Sequence, residues 1–340
     1  MTEQAPIGIL VMAYGSASGP EDIERYYTDI RGGRAPSPEL LRELKERYEA
    51  IGNRFPLLAT THAQAEGIAE RLNAGAGADA GAGADGDGDG DGRTYRAYLG
   101  MKHSPPSIAE AVAAMAADGV RRAVGIVMAP HWSGVSVESY IERAGAAIAE
   151  QGADVECSFI RSFHDHPMFV AFLAGCLRET LATLTDEERE AVTVLFTAHS
   201  LPVRTADDGT FRCKTCDCDP SCRYRDGLEE TAGLVAAAVG VGDHRLAWQS
   251  VGRTADPWWG PGIEEVLPVL ASEGRRAAVV CCAGFVADHL ETLYDLDIEA
   301  KAQAADAGIA FARTRMPNED PAFLDALAQV VREHLAGTGA

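Results

Sequence analysis

A pairing that recurs along the whole chain constrains the fold most: a continuous apolar run rich in β-branched residues, followed by an amphipathic stretch. The apolar runs fall at 7–13, 95–100, 120–128, 155–160, 192–196, 245–250 and 277–282. A strand that is apolar on both faces must be buried on both faces, which is the situation of a parallel strand covered by helices. Helical patterns fill the intervals at 19–51 (restarting at Ser37-Pro38-Glu39), 61–72, 105–118, 137–151, 167–184, 224–239, 262–273 and 287–296, with a last one at 321–335. This alternation predicts an α/β protein with two Rossmann-like domains, each a parallel sheet flanked by helices. At 340 residues, 46% of them hydrophobic, the chain can form two cores. The predicted division sets 1–160 apart from 161–317, with the crossing at Arg161-Ser162-Phe163-His164-Asp165-His166-Pro167.

In open α/β sheets ligands bind at the carboxyl ends of the strands, so the residues just after each apolar run are the candidates for chemistry. The run 192–196 leads into Thr197-Ala198-His199-Ser200-Leu201-Pro202, where the proline keeps the strand from simply continuing. His199 is thereby presented at a strand end. A neutral imidazole with an ordinary pKa near 6.5 suits both a general base and a metal ligand. Tyr14 follows the first run, Lys102 and His103 the second, and Ala129-Pro130-His131-Trp132-Ser133-Gly134 the third. Trp248, Trp258 and Trp259 offer flat rings that either wall a ligand or pack in the core. His164 and His166 are spaced to chelate or to stand exposed. Arg31, Arg34 and Arg47 suit bidentate carboxylate pairing or a solvated helix face. Asp288, Glu291, Asp295 and Glu299 recur every three or four residues, so on a helix they form one stripe, where mutual repulsion raises carboxyl pKa values and cations or protons can travel.

Cys213-Lys214-Thr215-Cys216-Asp217-Cys218-Asp219-Pro220-Ser221-Cys222 gathers four thiols in a short loop. Structural zinc usually takes two separated pairs, so Cys213, Cys216, Cys218 and Cys222 favour a [2Fe-2S] cluster, with Zn²⁺ as the alternative. Cys157, Cys176, Cys281 and Cys282 lie in apolar patterns and read as buried thiols. The segment 74–92 alternates Asp and Gly and has no apolar face, which predicts a flexible acidic insertion. Asp85, Asp87, Asp89 and Gly90 begin like a calcium loop, but Arg96 stands where a bidentate glutamate belongs. A net charge of −21 argues against nucleic acid as a partner and requires local Arg and Lys for any acidic substrate. Without a signal-peptide pattern at Met1-Thr2-Glu3-Gln4 or a membrane-spanning apolar run, the expected location is the cytoplasm.

Several separated motifs, in order, resemble the ferrochelatases, the enzymes that insert ferrous iron into a porphyrin. They include Val11-Met12-Ala13-Tyr14-Gly15, Asp22-Ile23-Glu24-Arg25-Tyr26-Tyr27, Ile30-Arg31, Arg47-Tyr48-Glu49-Ala50-Ile51-Gly52, Met101-Lys102-His103, Ala129-Pro130-His131, the His199 stretch, Trp248-Gln249-Ser250, and the run from Gly284-Phe285-Val286-Ala287 through Asp288-His289-Leu290-Glu291 to Thr292-Leu293-Tyr294-Asp295. Tyr14 makes the chain look most like the coproporphyrin type of the monoderm bacteria. The resemblance implies a class II chelatase fold, a C-terminal helix within 318–340 that packs back onto the first domain, and a helix distorted into π turns beside the active site. It implies His199 and Glu291 on opposite faces of the porphyrin, Tyr14 approaching the iron, and Asp295 continuing the acidic row, with His199, Glu291 and Asp295 meeting Fe²⁺ as a substrate. Arg31 and Arg47 would hold propionates, and Lys102, Ser133 and Trp248 would border the ring. Phe55 stands near where such enzymes often carry a small hydroxyl residue, which leaves one propionate without that contact. The implied partners are coproporphyrin III, Fe²⁺, and the preceding and following enzymes of haem synthesis, with the chain itself a monomer. Protoporphyrin IX as substrate, a cobalt or sirohydrochlorin chelatase, and a non-catalytic iron–sulfur sensor on a chelatase scaffold stay open as alternatives.

Overall fold

The computed structural model of the chain describes residues 5–78, 93–205, 209, 211–214, 223–252 and 254–338, with the side chains of 75–78 left out. Strands β1 (Ile7–Ala13), β2 (Tyr95–Met101), β3 (Arg122–Val127) and β4 (Glu156–Ile160) form one sheet in the order β2-β1-β3-β4. All of its pairings are parallel. After these come β5 (Val192–His199), β6 (Val203–Thr205), β7 (Phe211–Cys213), β8 (His244–Gln249), β9 (Ala277–Cys281) and β10 (Ala310–Arg313). The second sheet runs β10-β9-β5-β8 and is also parallel, while β6 and β7 make a separate antiparallel hairpin.

Burial explains which strands sit in the middle. Every residue of β1 and of β9 is buried, and so are six of the eight in β5, two of them the threonines Thr193 and Thr197, as expected of strands covered on both faces. In each sheet the chain order reverses beside one central strand, at β1 in the first and β5 in the second. That is where a crevice opens at the carboxyl edge. Tyr14 and His199 occupy those two positions.

The helix Pro321–Gly337 packs mainly on Leu57–Ala78 from the first half and also engages Pro167–Leu181 from the second. Phe323 is fully buried between Phe169 and Phe172, with ring centroids 6.1 and 5.8 Å away. Buried Gln64 donates to the carbonyls of Val286 (3.0 Å) and Asn318 (2.8 Å), a further tie between distant segments. Among the described residues no helix is long and apolar enough to cross a membrane.

Several expectations need correction. The helix expected at 61–72 runs from Leu57 to Ala78, so the insertion expected from residue 74 begins inside a helix. Alanine has the highest helix propensity and extends the pattern where an apolar face has ended. Residues 79–92 lie outside the described part. The stretch expected as one helix at 137–151 opens as a π-helix, Gly134–Glu138, before Ser139–Glu150. The helix expected at 287–296 has the π turns the resemblance implies, but its bounds shift: the π-helix is Thr292–Ala300 and continues as Lys301–Asp306. Strands β6, β7 and β10 were not legible, because three or four residues carry no measurable period.

Candidate active site

Two close approaches of backbone set up the site. Gly284 donates to the carbonyl of Thr197 at 3.0 Å, and a Cβ on Gly284 would lie 2.4 Å from the Cβ of Ala198. Only glycine lets the segment leading to Glu291 pass against β5. In the first sheet Gly15 takes a φ of +93°, and a Cβ there would meet the hydroxyl of Ser104 at 2.4 Å. Tyr26 fixes that turn by donating to the carbonyl of Gly15 at 3.1 Å.

His199, the last residue of β5, pairs in register with Gln249 of β8. Its Nδ1 hydrogen bonds to the carbonyl of Ser200, so the proton sits on Nδ1 and the Nε2 lone pair faces outward. Nε2 lies 3.7 Å from Oε1 of Glu291, and the two side chains keep 34% and 33% of their surface exposed. That gap is too long for a hydrogen bond. Two lone-pair donors facing each other across it make a place to hold a cation. Burial by itself would raise the Glu291 carboxyl, but the positive charge that the His199 and His289 imidazoles carry when doubly protonated outweighs it and brings the group down to about 2. His289 places Nε2 3.6 Å from Oε2 of Glu291, hydrogen bonds through Nδ1 to the carbonyl of Ala287, and packs tilted against the Phe285 ring at 4.7 Å.

One step along the π-helix, Asp295 accepts from the Ser250 hydroxyl at 2.6 Å and approaches Arg47 at 3.7 Å. Burial first, and then the charge of Glu291, raise its carboxyl to about 6. Ser250 itself has a φ of +58°, the left-handed region that a residue with a side chain seldom occupies, which is a mark of strain stored at a working site. Arg47 also lies over the Tyr294 ring at 5.0 Å.

Tyr14 keeps 43% of its surface exposed and lies tilted against His103, ring centroids 4.6 Å apart; the His103 Nδ1 is 2.7 Å from Asp29. Desolvation, followed by the charge of Glu291, pushes the Tyr14 phenol up to about 12, so the two sheet edges feel each other. Lys102 donates to Ser139 at 2.6 Å, lies over the Tyr140 ring, and is lowered to about 8 by burial and then Arg143. Arg31 closes the helix Ile23–Ile30, over the ring of Tyr27, with a buried Nε that has no hydrogen-bond partner. Arg34 donates to the carbonyl of Arg31, and Phe55 stacks on Tyr48 at 4.5 Å.

Four expected placements are corrected by this geometry. His199 and Glu291 cannot flank a ring, because a flat ring between two atoms needs about 7 Å, twice an ordinary contact, and these atoms are 3.7 Å apart. They stand on one side together. Trp248 is 1% exposed, stacked on Trp259 at 5.9 Å, and belongs to the core; Trp258, 6.5 Å from the His199 ring, is the tryptophan beside the histidine. Ser133 is equally buried and caps the π-helix Gly134–Glu138 by accepting from the Ser136 N–H. Asp288 leaves the acidic row to accept from Arg313 and Asn318. His289, Gln249 and Ser250 had no assigned role. Their only signal was membership of the quoted motifs, since neither a left-handed serine nor the turning of the His289 imidazole onto Glu291 can be read from spacing.

His164 contacts Ser162 and Glu230, and His166 approaches Glu333, so the pair does not converge. Cys176, Cys281 and Cys282 are buried and Cys157 half-buried. Cys213 is buried in β7, while Cys216, Cys218 and Cys222 lie outside the described residues. Among the described residues no group of three or more His, Cys, Asp or Glu is arranged to hold a metal ion, so His199, Glu291 and Asp295 do not form a closed metal centre.

The family model described as Ferrochelatase matches residues 6–335. The coproporphyrin III ferrochelatase of Bacillus subtilis (strain 168) is 42% identical over 330 residues, covering 97% of this chain and 98% of that protein. The protein of the same name from Anoxybacillus flavithermus is 42% identical over 334 residues, 98% of both. Among solved structures, SirB from Bacillus subtilis with Fe³⁺ superposes with a TM-score of 0.54 at 13% identity, covering 98% of this chain and 97% of that one. The sirohydrochlorin chelatase SirB from Bacillus subtilis subspecies spizizenii with cobalt gives 0.51 at 12%, covering 96% and 94%. At such identity these two likenesses establish the fold alone.

The raised Asp295 carboxyl sets a stability window. The folded state retains its proton between the ordinary value of 3.8 and about 6, so stability from this group is complete below 3.8 and lost as pH rises through 6. Asp295→Asn should remove that decline and unfold at higher urea than the parent at pH 7, by up to ~3 kcal/mol. A variant that keeps the parent's pH slope would show that Asp295 is not the group responsible.

Proposed function

This chain belongs to the ferrochelatase family, and on that premise we propose that it inserts Fe²⁺ into coproporphyrin III to give coproheme in haem synthesis. Insertion must strip water from a ferrous ion, bend the ring so that its nitrogen lone pairs are exposed, and remove two pyrrole protons. The observation that carries the reading is the facing pair of lone-pair donors, His199 Nε2 and Glu291 Oε1, 3.7 Å apart at the carboxyl edge of the second sheet. His199, with its Nδ1 committed to Ser200, is the base that takes a pyrrole proton on Nε2. Glu291, held ionised by its two imidazole neighbours, is the anion beside which Fe²⁺ or the proton rests. Asp295, titrating at about 6, accepts protons from that pair and releases them along the π-helix.

The porphyrin lies between the two halves, with His199 and Glu291 on one face and Tyr14 on the other as an axial contact to iron. Arg31 and Arg47 pair with propionates, and Lys102 adds positive charge beside Tyr14 against a chain of net charge −21. In this reading residues 1–160 with 318–340 form one domain and 161–317 the other. The two sheets support that division; the C-terminal helix, in contact with both halves, would brace them. The thiols of Cys213, Cys216, Cys218 and Cys222 would hold a [2Fe-2S] cluster, with Zn²⁺ as the alternative. What supports this is the donor set alone, four thiolates in one short loop. Insertion transfers no electrons, so such a group would brace the loop.

His199→Ala should lower Fe²⁺ insertion by at least about 100-fold, the range of a lost general base, and leave coproporphyrin binding within about threefold in a fluorescence-quenching titration. Full activity in that variant would refute the assignment. Protein purified without oxygen should show visible charge-transfer absorption that Cys213→Ser abolishes; a colourless protein containing zinc would assign the thiols to Zn²⁺.

A further inference from the structure

The main chain around His199 is anchored on every side. Ser200 N–H donates to Gln249 (2.8 Å), the Ser200 hydroxyl to the carbonyl of Trp259 (2.7 Å), Trp259 N–H to Leu201 (3.1 Å), Val203 N–H to Pro257 (2.8 Å), and Lys214 N–H to Pro202 (2.9 Å). These anchors hold the residues that follow the histidine. The carbonyl of His199, at the last position of β5, is instead taken by a side chain, with the Tyr224 hydroxyl donating to it at 2.9 Å.

That bond and the one from Ser200 N–H act on the same peptide plane. The plane between His199 and Ser200 is held at its oxygen by Tyr224 and at its nitrogen by Gln249. The next carbonyl, that of Ser200, is the one that receives the imidazole Nδ1 proton. Turning the plane would move that acceptor, and with it the direction of Nε2 toward Glu291. Tyr224 is well placed to resist such a turn. It sits in the first turn of the helix Arg223–Val239, 7% exposed, its ring 5.7 Å from Trp248 and edge-on to His131 at 6.3 Å. The helix is fixed in turn by Thr231, whose hydroxyl donates to the carbonyl of His164 and contacts buried His131. The buried Trp248 thus acquires a purpose its expected role did not supply: it backs the tyrosine that holds the histidine.

We propose that Tyr224 is a positioning residue for insertion, fixing through its hydroxyl the peptide plane that sets the tautomer and aim of His199. The inference rests on His199 being the base. Tyr224→Phe keeps the ring and its packing and removes only the donor. Its kcat for Fe²⁺ insertion into coproporphyrin III should fall between about 5- and 100-fold, the scale of a slightly misplaced catalytic group, with KM for the porphyrin within about twofold. In ¹⁵N spectra of imidazole-labelled protein, His199 should change from one Nδ1–H tautomer to a mixture.

A merely structural tyrosine would lower the unfolding midpoint and leave kcat and the His199 resonances alone, and that result would overturn the inference. His199→Ala, run in parallel, separates the two claims. If His199→Ala is inactive and Tyr224→Phe is as fast as the parent, only the positioning role fails; if His199→Ala is fully active, the reading beneath it fails as well. Should Tyr224→Phe not fold, 3-fluorotyrosine at position 224, a stronger donor of the same shape, must shift the His199 resonances if the inference holds, and unchanged resonances would overturn it.

Discussion

Everything at the site depends on a place where one stretch of backbone, bare of any side chain at Gly284, passes directly against another. Gly284 lies against Ala198 so closely that one added carbon would meet it at 2.4 Å. Because the strand bearing His199 and the chain leading to Glu291 meet there, an imidazole and a carboxylate more than ninety residues apart in sequence come within 3.7 Å. Chain order then does the rest. Reversal of direction beside β5 opens the carboxyl edge at that point, and the same reversal beside β1 presents Tyr14 from the other sheet.

Charge is graded along the site rather than uniform. Glu291, between two imidazoles, stays ionised far below neutral pH, while Asp295, one π turn further, is buried beside that charge and holds its proton to about 6. Neighbouring carboxyls with separated pKa values divide the work of holding a cation and releasing a proton. The π-helix and the left-handed Ser250 are the backbone irregularities that create this arrangement, and both cost conformational energy that an ordinary helix and turn would not.

The layered fold was legible because burial on both faces leaves a direct trace in composition: β1 and β9 are polar-free runs, and β5 is β-branched and apolar up to its last residue apart from two threonines. His199 was legible for a related reason, as a polar residue followed by proline at the end of such a run. What failed was anything that depends on side-chain direction. Trp248 looked like a wall and is a support; Ser133 looked like a ligand and is a cap; Asp288 fits the spacing of the acidic row and turns away to Arg313 and Asn318. The placement of His199 and Glu291 on opposite faces failed for the same reason, since order along a chain says which residues approach a ligand and not from which side. Ser250 was visible only as a member of the Trp248-Gln249-Ser250 motif, because its left-handed backbone is imposed by its surroundings.

The central claim is metal insertion at this edge, with a carboxylate-rich porphyrin as substrate. Its most direct test is anaerobic Fe²⁺ insertion by the intact protein into coproporphyrin III and protoporphyrin IX side by side, each followed by the change in its Soret band. The account predicts turnover of both or of coproporphyrin alone, with the higher kcat/KM for coproporphyrin III, whose additional propionates would engage the proposed Arg31 and Arg47 contacts. Faster turnover of protoporphyrin IX would contradict the substrate assignment, and no turnover of either would contradict the chelatase itself.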